Sequence, residues 1–141
     1  MEGLYDVQKL EPDGDFILKF GSPGTENGQF IEVSGVVIDS SGYLYVLDSS
    51  QGEVQKFEPD GDYVSKFGSY GEENGMFLYA VGIAIDSNNN IYVLDQSRQN
   101  VQKFNSNGVF VSKFGSEGEE DGMFIFPAKI AIDSNNTNYV K

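Results

Sequence analysis

The chain contains no cysteine and no histidine. The first absence removes disulfides, thiolate nucleophiles and sulfur metal sites. The second removes the commonest general base and the commonest transition-metal ligand. Cations are scarce too: nine Lys and Arg stand against 22 Asp and Glu, for a net charge of −13. Such a field repels phosphate backbones and anionic membranes. Six of the nine cations recur at equivalent places, Lys9, Lys56 and Lys103 and then Lys19, Lys66 and Lys113. They are scattered, so no basic face forms for a nucleic acid. No apolar stretch approaches the roughly 20 residues of a membrane span. Met1-Glu2-Gly3 opens without a basic and then apolar signal, so no export peptide is expected. The sequence assigns no compartment. It calls for neither a cofactor nor a resident metal.

What is present is a turn-rich, apolar-patterned chain. Of 141 residues, 39% are hydrophobic and 13% aromatic, with 17 glycines and four prolines. That is too apolar for a disordered segment, and one domain of this length buries roughly 70% of its extended surface. Val7-Gln8-Lys9-Leu10 returns as Val54-Gln55-Lys56-Phe57 and Val101-Gln102-Lys103-Phe104, each 47 residues on. Lys19-Phe20-Gly21-Ser22 and Ile38-Asp39-Ser40 return twice at the same spacing. The whole chain, 1–141, is three uninterrupted repeats, 1–47, 48–94 and 95–141.

Each repeat reads as four short strands. In the middle copy these are Gly82 to Asp86, Ile91 to Leu94, Val101 to Phe104 and Val109 to Phe114, joined by turn-forming stretches. The first two strands are apolar on both faces and are expected to lie deepest. The last two alternate and are expected further out. An acidic, glycine-rich connector leads to the next unit. Four antiparallel strands per 40–50 residues describe a propeller blade. The fold class expected is all-β, a β-propeller.

Gly82-Ile-Ala-Ile-Asp86, Ile91-Tyr-Val-Leu-Asp95 and Val101-Gln-Lys-Phe104 resemble the NHL repeat family over nearly the whole chain. That resemblance implies a propeller, commonly six-bladed, used mainly as a binding platform for protein or RNA, with a few lyase or hydrolase relatives. The sequence departs from the family pattern in several places. The family proline survives only at Pro127, Lys129 replaces the glycine seen at Gly35 and Gly82, and Asn138 replaces the apolar Leu44 and Ile91.

The repeat is circularly shifted. The chain enters at the third strand of a blade and leaves after the second, giving two full blades and two half blades. One chain offers three blades where a ring needs roughly four to eight; two chains offer six. The expectation is a homodimer closing a six-bladed ring by strand exchange, through Val7, Leu10, Phe16 and Leu18 at one end and Ile130, Ile132, Tyr139 and Val140 at the other. The other arrangement is a segment of a longer propeller.

The expected function is a non-catalytic scaffold that binds a protein or peptide on its loop rim. Asp48, Asp95 and Arg98 are the ligand candidates there, with capping of loop N–H groups as the competing role for the aspartates. No catalytic residue stands out, because each carboxylate has copies. The acidic connectors, from Glu26 through Glu72 and Glu73 to Glu117, Glu119, Glu120 and Asp121, could draw Ca²⁺ or a basic partner, or could simply be solvated loops. A Ca²⁺-binding or carboxylate-based hydrolase or lyase is the alternative function. Asp86-Ser-Asn-Asn-Asn90 carries oxygens like a calcium loop, but lacks the downstream Glu and the length. The repeated Tyr45, Tyr92 and Tyr139, with Phe20, Phe67 and Phe114, read as interblade packing, with carbohydrate stacking as the alternative. Asn135-Asn136-Thr137 is a glycosylation sequon.

Overall fold

The computed structural model describes residues 5–141, so the reading of Met1-Glu2-Gly3 lies outside the described residues. Strands β1 (Val7–Leu10) and β2 (Phe16–Phe20) form a two-stranded hairpin. A connector follows with two short parallel stretches, β3 (Ser22–Pro23) and β4 (Gln29–Phe30). Then come β5 (Val33–Ile38), β6 (Leu44–Asp48), β7 (Glu53–Phe57) and β8 (Tyr63–Phe67), an antiparallel sheet in chain order. A second such sheet holds β9 (Ala80–Ile85), β10 (Ile91–Asp95), β11 (Asn100–Phe104) and β12 (Phe110–Phe114). The last hairpin pairs β13 (Ile130–Ile132) with β14 (Asn138–Val140). No helix occurs among the described residues. The two full sheets and two half sheets are the all-β blade pattern read from the repeat.

The repeat fixes the pairing as well as the strands. Tyr45 lies opposite Lys56 and Tyr92 opposite Lys103. A bulge falls at the same step of the third strand in all three copies, Lys9/Leu10, Lys56/Phe57 and Lys103/Phe104. The turns after the first strands are Asx turns: Asp86 Oδ1 accepts the N–H groups of Asn88 and Asn90, both at 2.9 Å, and Asp39 and Asp133 do the same for their own turns. These oxygens therefore shape the hairpins.

Between the two full blades lies the main core, built on Tyr45, Leu47, Val54, Phe77, Ile91, Val93 and Phe104. The fourth-strand phenylalanines Phe20 and Phe67 bridge to the next blade, whereas their equivalent Phe114 is exposed. Phe20 and Phe57 have ring centroids 4.8 Å apart, and Phe67 and Phe104 4.7 Å apart. The rings reach across because the facing turn residues are glycines. A Cβ on Gly61 would sit 3.1 Å from the Phe20 ring, and one on Gly108 2.7 Å from that of Phe67.

The order of burial differs from the one read in the sequence. The second and third strands are the deepest, with β6 and β10 buried throughout and β7 and β11 nearly so. The first strand is only half-buried in β5. The first strand lies at the edge of its sheet, so it has a strand neighbour on one side only. The third strand is sealed because the connector folds over its polar face.

Candidate functional site

The connector rim is where the aspartate and arginine candidates lie. Asp48 ends β6 and is fully buried. Its carboxylate accepts the N–H groups of Ile31 at 2.7 Å and Glu32 at 3.2 Å in the connector, and of Ser50 and Gln51, both at 3.1 Å, in the next loop; the Gln51 amide adds a fifth bond at 2.8 Å. Asp95 repeats this with Leu78 (2.7 Å), Tyr79 (3.1 Å), Ser97 and Arg98 (both 3.0 Å). Each aspartate staples two loops with its full acceptor capacity, which is the capping role. The Arg98 guanidinium donates to the carbonyls of Glu73 (3.1 Å) and Met76 (3.2 Å), tying the same connector down.

Two further residues do equivalent work and were not singled out from sequence. Gln55 and Gln102 are fully buried on the third strands. The Gly28 N–H donates to Gln55 Oε1 at 2.8 Å while Gln55 Nε2 donates to the Gln29 carbonyl at 2.7 Å. Gln102 holds Gly75 and Met76 identically, at 2.7 Å each. The signal was the invariant Val-Gln-Lys of every copy. Strand alternation alone reads its glutamine as solvent-facing, and only the folded-over connector makes it a clamp.

The titratable groups follow the same logic. Burial pushes the Glu53 carboxyl above its usual range, more than Lys66 at 3.5 Å pulls it down. Burial also raises the Asp86 carboxyl, but hydrogen bonds from Asn90, the Tyr92 hydroxyl and Asn88 outweigh it, and the net shift is downward. Tyr92, desolvated and bonded to that carboxylate at 2.9 Å, is pushed up to about 12. Among the described residues, three acids converge within 4.8 Å at Glu58, Asp60 and Asp62, all exposed on the β7–β8 hairpin. They form its turn: the Glu58 N–H bonds the Asp62 carbonyl and the Asp62 N–H bonds Asp60 Oδ1.

The half blades present two open seams. At the first, a cavity of about 400 Å³ lies between the free edge of β1 and the face of the first full blade, lined by Val7 to Leu10, Val36, Ile38, Gly42, Leu44 and Pro59. At the second, a shallower hollow of about 280 Å³ lies on the outer face of β13 and β14, from Lys129 to Ala131 and Tyr139 to Lys141. Of the eight residues assigned to assembly, Val7, Ile130, Ile132 and Val140 already pack on their own neighbouring blades. Leu10 (51%), Phe16 (61%) and Tyr139 (58%) are exposed, and Leu18 is half-buried. The structure keeps the two groups on separate hairpins.

Comparison with known proteins agrees with this geometry. A family model described as DUF5128, 6-bladed beta-propeller, matches residues 25–105, more than half of the chain. No curated protein matches the sequence. Among solved structures, a streptogramin B lyase superposes with a TM-score of 0.69 at 15% identity, over 98% of this chain and 41% of that one. Virginiamycin B lyase from Staphylococcus aureus gives 0.67 at 13%, over 98% and 42%. A protein of unknown function from Bacteroides caccae gives 0.62 at 16%, over 96% and 46%. At these identities the likeness is one of fold. The chain spans less than half the length of each of these three structures.

Proposed function

The chain belongs to the six-bladed β-propeller family DUF5128, and on that premise we propose that it is a non-catalytic scaffold of NHL-type repeats which closes its ring by pairing with a second copy and offers its connector rim to a protein or peptide. One observation carries this reading. Several residues buried in two copies of the repeat are exposed in the third, where a half blade lacks its complement. Phe57 and Phe104 are 1% exposed, whereas their equivalent Leu10 is 51% exposed. The slot beside β1 is shaped for an inner hairpin, and β13–β14 is an inner hairpin lacking an outer one. An unpaired edge beside exposed apolar residues is a template for strand pairing.

The rim part of the proposal is supported by chemistry on the connector side. Tyr70, Tyr79, Ile125 and Phe126 are exposed there, close in sequence to Glu72, Glu73, Glu117, Glu119, Glu120 and Asp121. That mixture suits a basic segment with apolar side chains. Asp48, Asp95 and Arg98 serve as loop staples beneath it. Light scattering at micromolar concentration tests the closure: twice the chain mass is expected, and a monomeric mass would sink it. Calorimetric titration with Ca²⁺ separates the scaffold from a carboxylate-based hydrolase or lyase. No heat is expected, and a saturating exotherm would favour the enzyme.

A further inference from the structure

The internal repeat supplies templates for the seam at residue resolution. The strand pairings within a blade and the blade-to-blade contacts that follow each occur twice inside the chain. Advanced by one more repeat of 47 residues, and continued from residue 141 into residue 1 of a second copy, each names its seam counterpart. Tyr45 opposite Lys56 and Tyr92 opposite Lys103 become Tyr139 opposite the partner's Lys9. The lysines lie over the tyrosine rings at 5.2 and 5.5 Å in the two existing copies. Phe20 on Phe57 and Phe67 on Phe104 become Phe114 on the partner's Leu10. The turn glycine facing Phe114 becomes the partner's Gly14, which in the single chain has nothing within 4 Å of its Cβ position.

The glutamine clamp completes the set. Gln55 and Gln102 are buried against the Gly28–Gln29 and Gly75–Met76 turns. Their third equivalent, Gln8, is exposed on the free edge strand, and the third turn, Gly122–Met123, has no such glutamine within its own chain. We propose that β1 of one copy adds to β14 of another in a single register, Tyr139 opposite the partner's Lys9, and that the partner's Gln8 then clamps the Gly122–Met123 turn. This rests on the ring-closure reading above and adds to it a residue each copy contributes to the other's connector.

The seam departs from the templates at two places. The close approach of Gly35 to Ile83 and of Gly82 to Ile130, where a Cβ would sit at 2.8 and 3.3 Å, meets Lys129 at the third position. Asn89 and Asn136 each accept an N–H from the serine one repeat earlier, at 3.1 and 2.9 Å; at the seam that acceptor is Gly42 and the bond is lost. The seam is therefore looser than the internal interfaces, and copies exchange without the full blades coming apart.

The chain has no cysteine, so cross-linking reads the register directly. Chains carrying Lys9→Cys are mixed with chains carrying Tyr139→Cys and, separately, with chains carrying Lys141→Cys, two residues off register on the same face. Directly opposed Cβ atoms lie about 4.5–5.5 Å apart and diagonal ones well beyond disulfide reach. The expected result is a covalent dimer forming at least about tenfold faster with Tyr139→Cys. Equal rates, or no cross-link in a mixture whose scattering mass is dimeric, overturns the register while leaving ring closure standing; a monomeric mass overturns both. Gln8→Ala reads the clamp. Hydrogen exchange at the Gly122 amide should quicken at least about tenfold in a dimer of unchanged mass, with Gly28 and Gly75 unaffected. Unchanged protection at Gly122 overturns the clamp.

Discussion

Asn138 occupies the place that Leu44 and Ile91 hold in the other copies, and its Oδ1 is buried without a hydrogen-bond partner. A buried acceptor left unpaired costs about 1–3 kcal/mol, and the apolar contact of its equivalents is lost besides. Asn138→Ile is therefore expected to stabilise the chain by about that amount, seen as a rise of roughly 2–4 °C in thermal midpoint per kcal/mol. A lower midpoint would mean that the amide has a partner in solution. Asp86 makes the opposite case, a polar side chain fully used. Its carboxyl lies below the usual range in the fold, so ionisation favours the folded state. That contribution is complete above the unfolded carboxylate pKa and is lost as pH falls through the lowered folded value. Asp86→Asn should flatten the acid limb of stability, followed by urea midpoints between about pH 6 and pH 3. An unchanged acid limb would show that the Asx turn holds equally well without its charge.

At the scale of strands and connectors, the clamp is the largest feature beyond the sheets themselves. Gln102→Ala strands the Gly75 N–H under the connector and leaves the Met76 carbonyl with the Arg98 guanidinium as its donor. A loss of about 1–3 kcal/mol is expected for each group that water cannot reach, measured by urea denaturation, with faster exchange confined to residues 74 to 77. Global destabilisation without local exchange would place the effect in strand packing. The same glutamine marks where sequence reading stopped. The number and order of the blade strands, the half blades and the turns were legible because glycine, Asx turns and the 47-residue period are local signals, whereas the short parallel pair β3–β4 in the connector was not. The depth of each strand was not. Val101-Gln102-Lys103-Phe104 alternates as a half-buried strand does, yet Gln102 is fully enclosed, because a connector distant by 26 residues folds over it. Gly82 to Asp86 was expected to lie deep together with Ile91 to Leu94, yet it is largely half-buried because it is the edge strand of its sheet. The capping of Asp48 and Asp95 was legible as one of two roles, since Asp before a polar loop favours bonding its own N–H groups. That their carboxylates also reach the preceding connector follows only from the closed blade.

At the scale of the whole molecule, charge opposes the proposed pairing of two copies and apolar area favours it. Each copy carries −13, so two copies would meet against their own repulsion. The seam itself is apolar and polar-neutral in character: Val36 is 44% exposed and Ile38 58%, awaiting cover. The few cations near it, Lys9, Lys129 and Lys141, are too few to reverse the net field. Repulsion between well-separated surface charges is screened once the Debye length falls from about 30 Å at ~0.01 M salt to about 4 Å near ~0.5 M. Burial of the slot is insensitive to that change. The dissociation constant should therefore fall with added NaCl, by about tenfold or more across that range, in sedimentation or mass photometry at a series of concentrations. Cross-linking between Lys9→Cys and Tyr139→Cys chains should quicken in parallel. Association that weakens with salt would place ion pairs, rather than the covered apolar faces of β1, β5 and β14, at the centre of the seam.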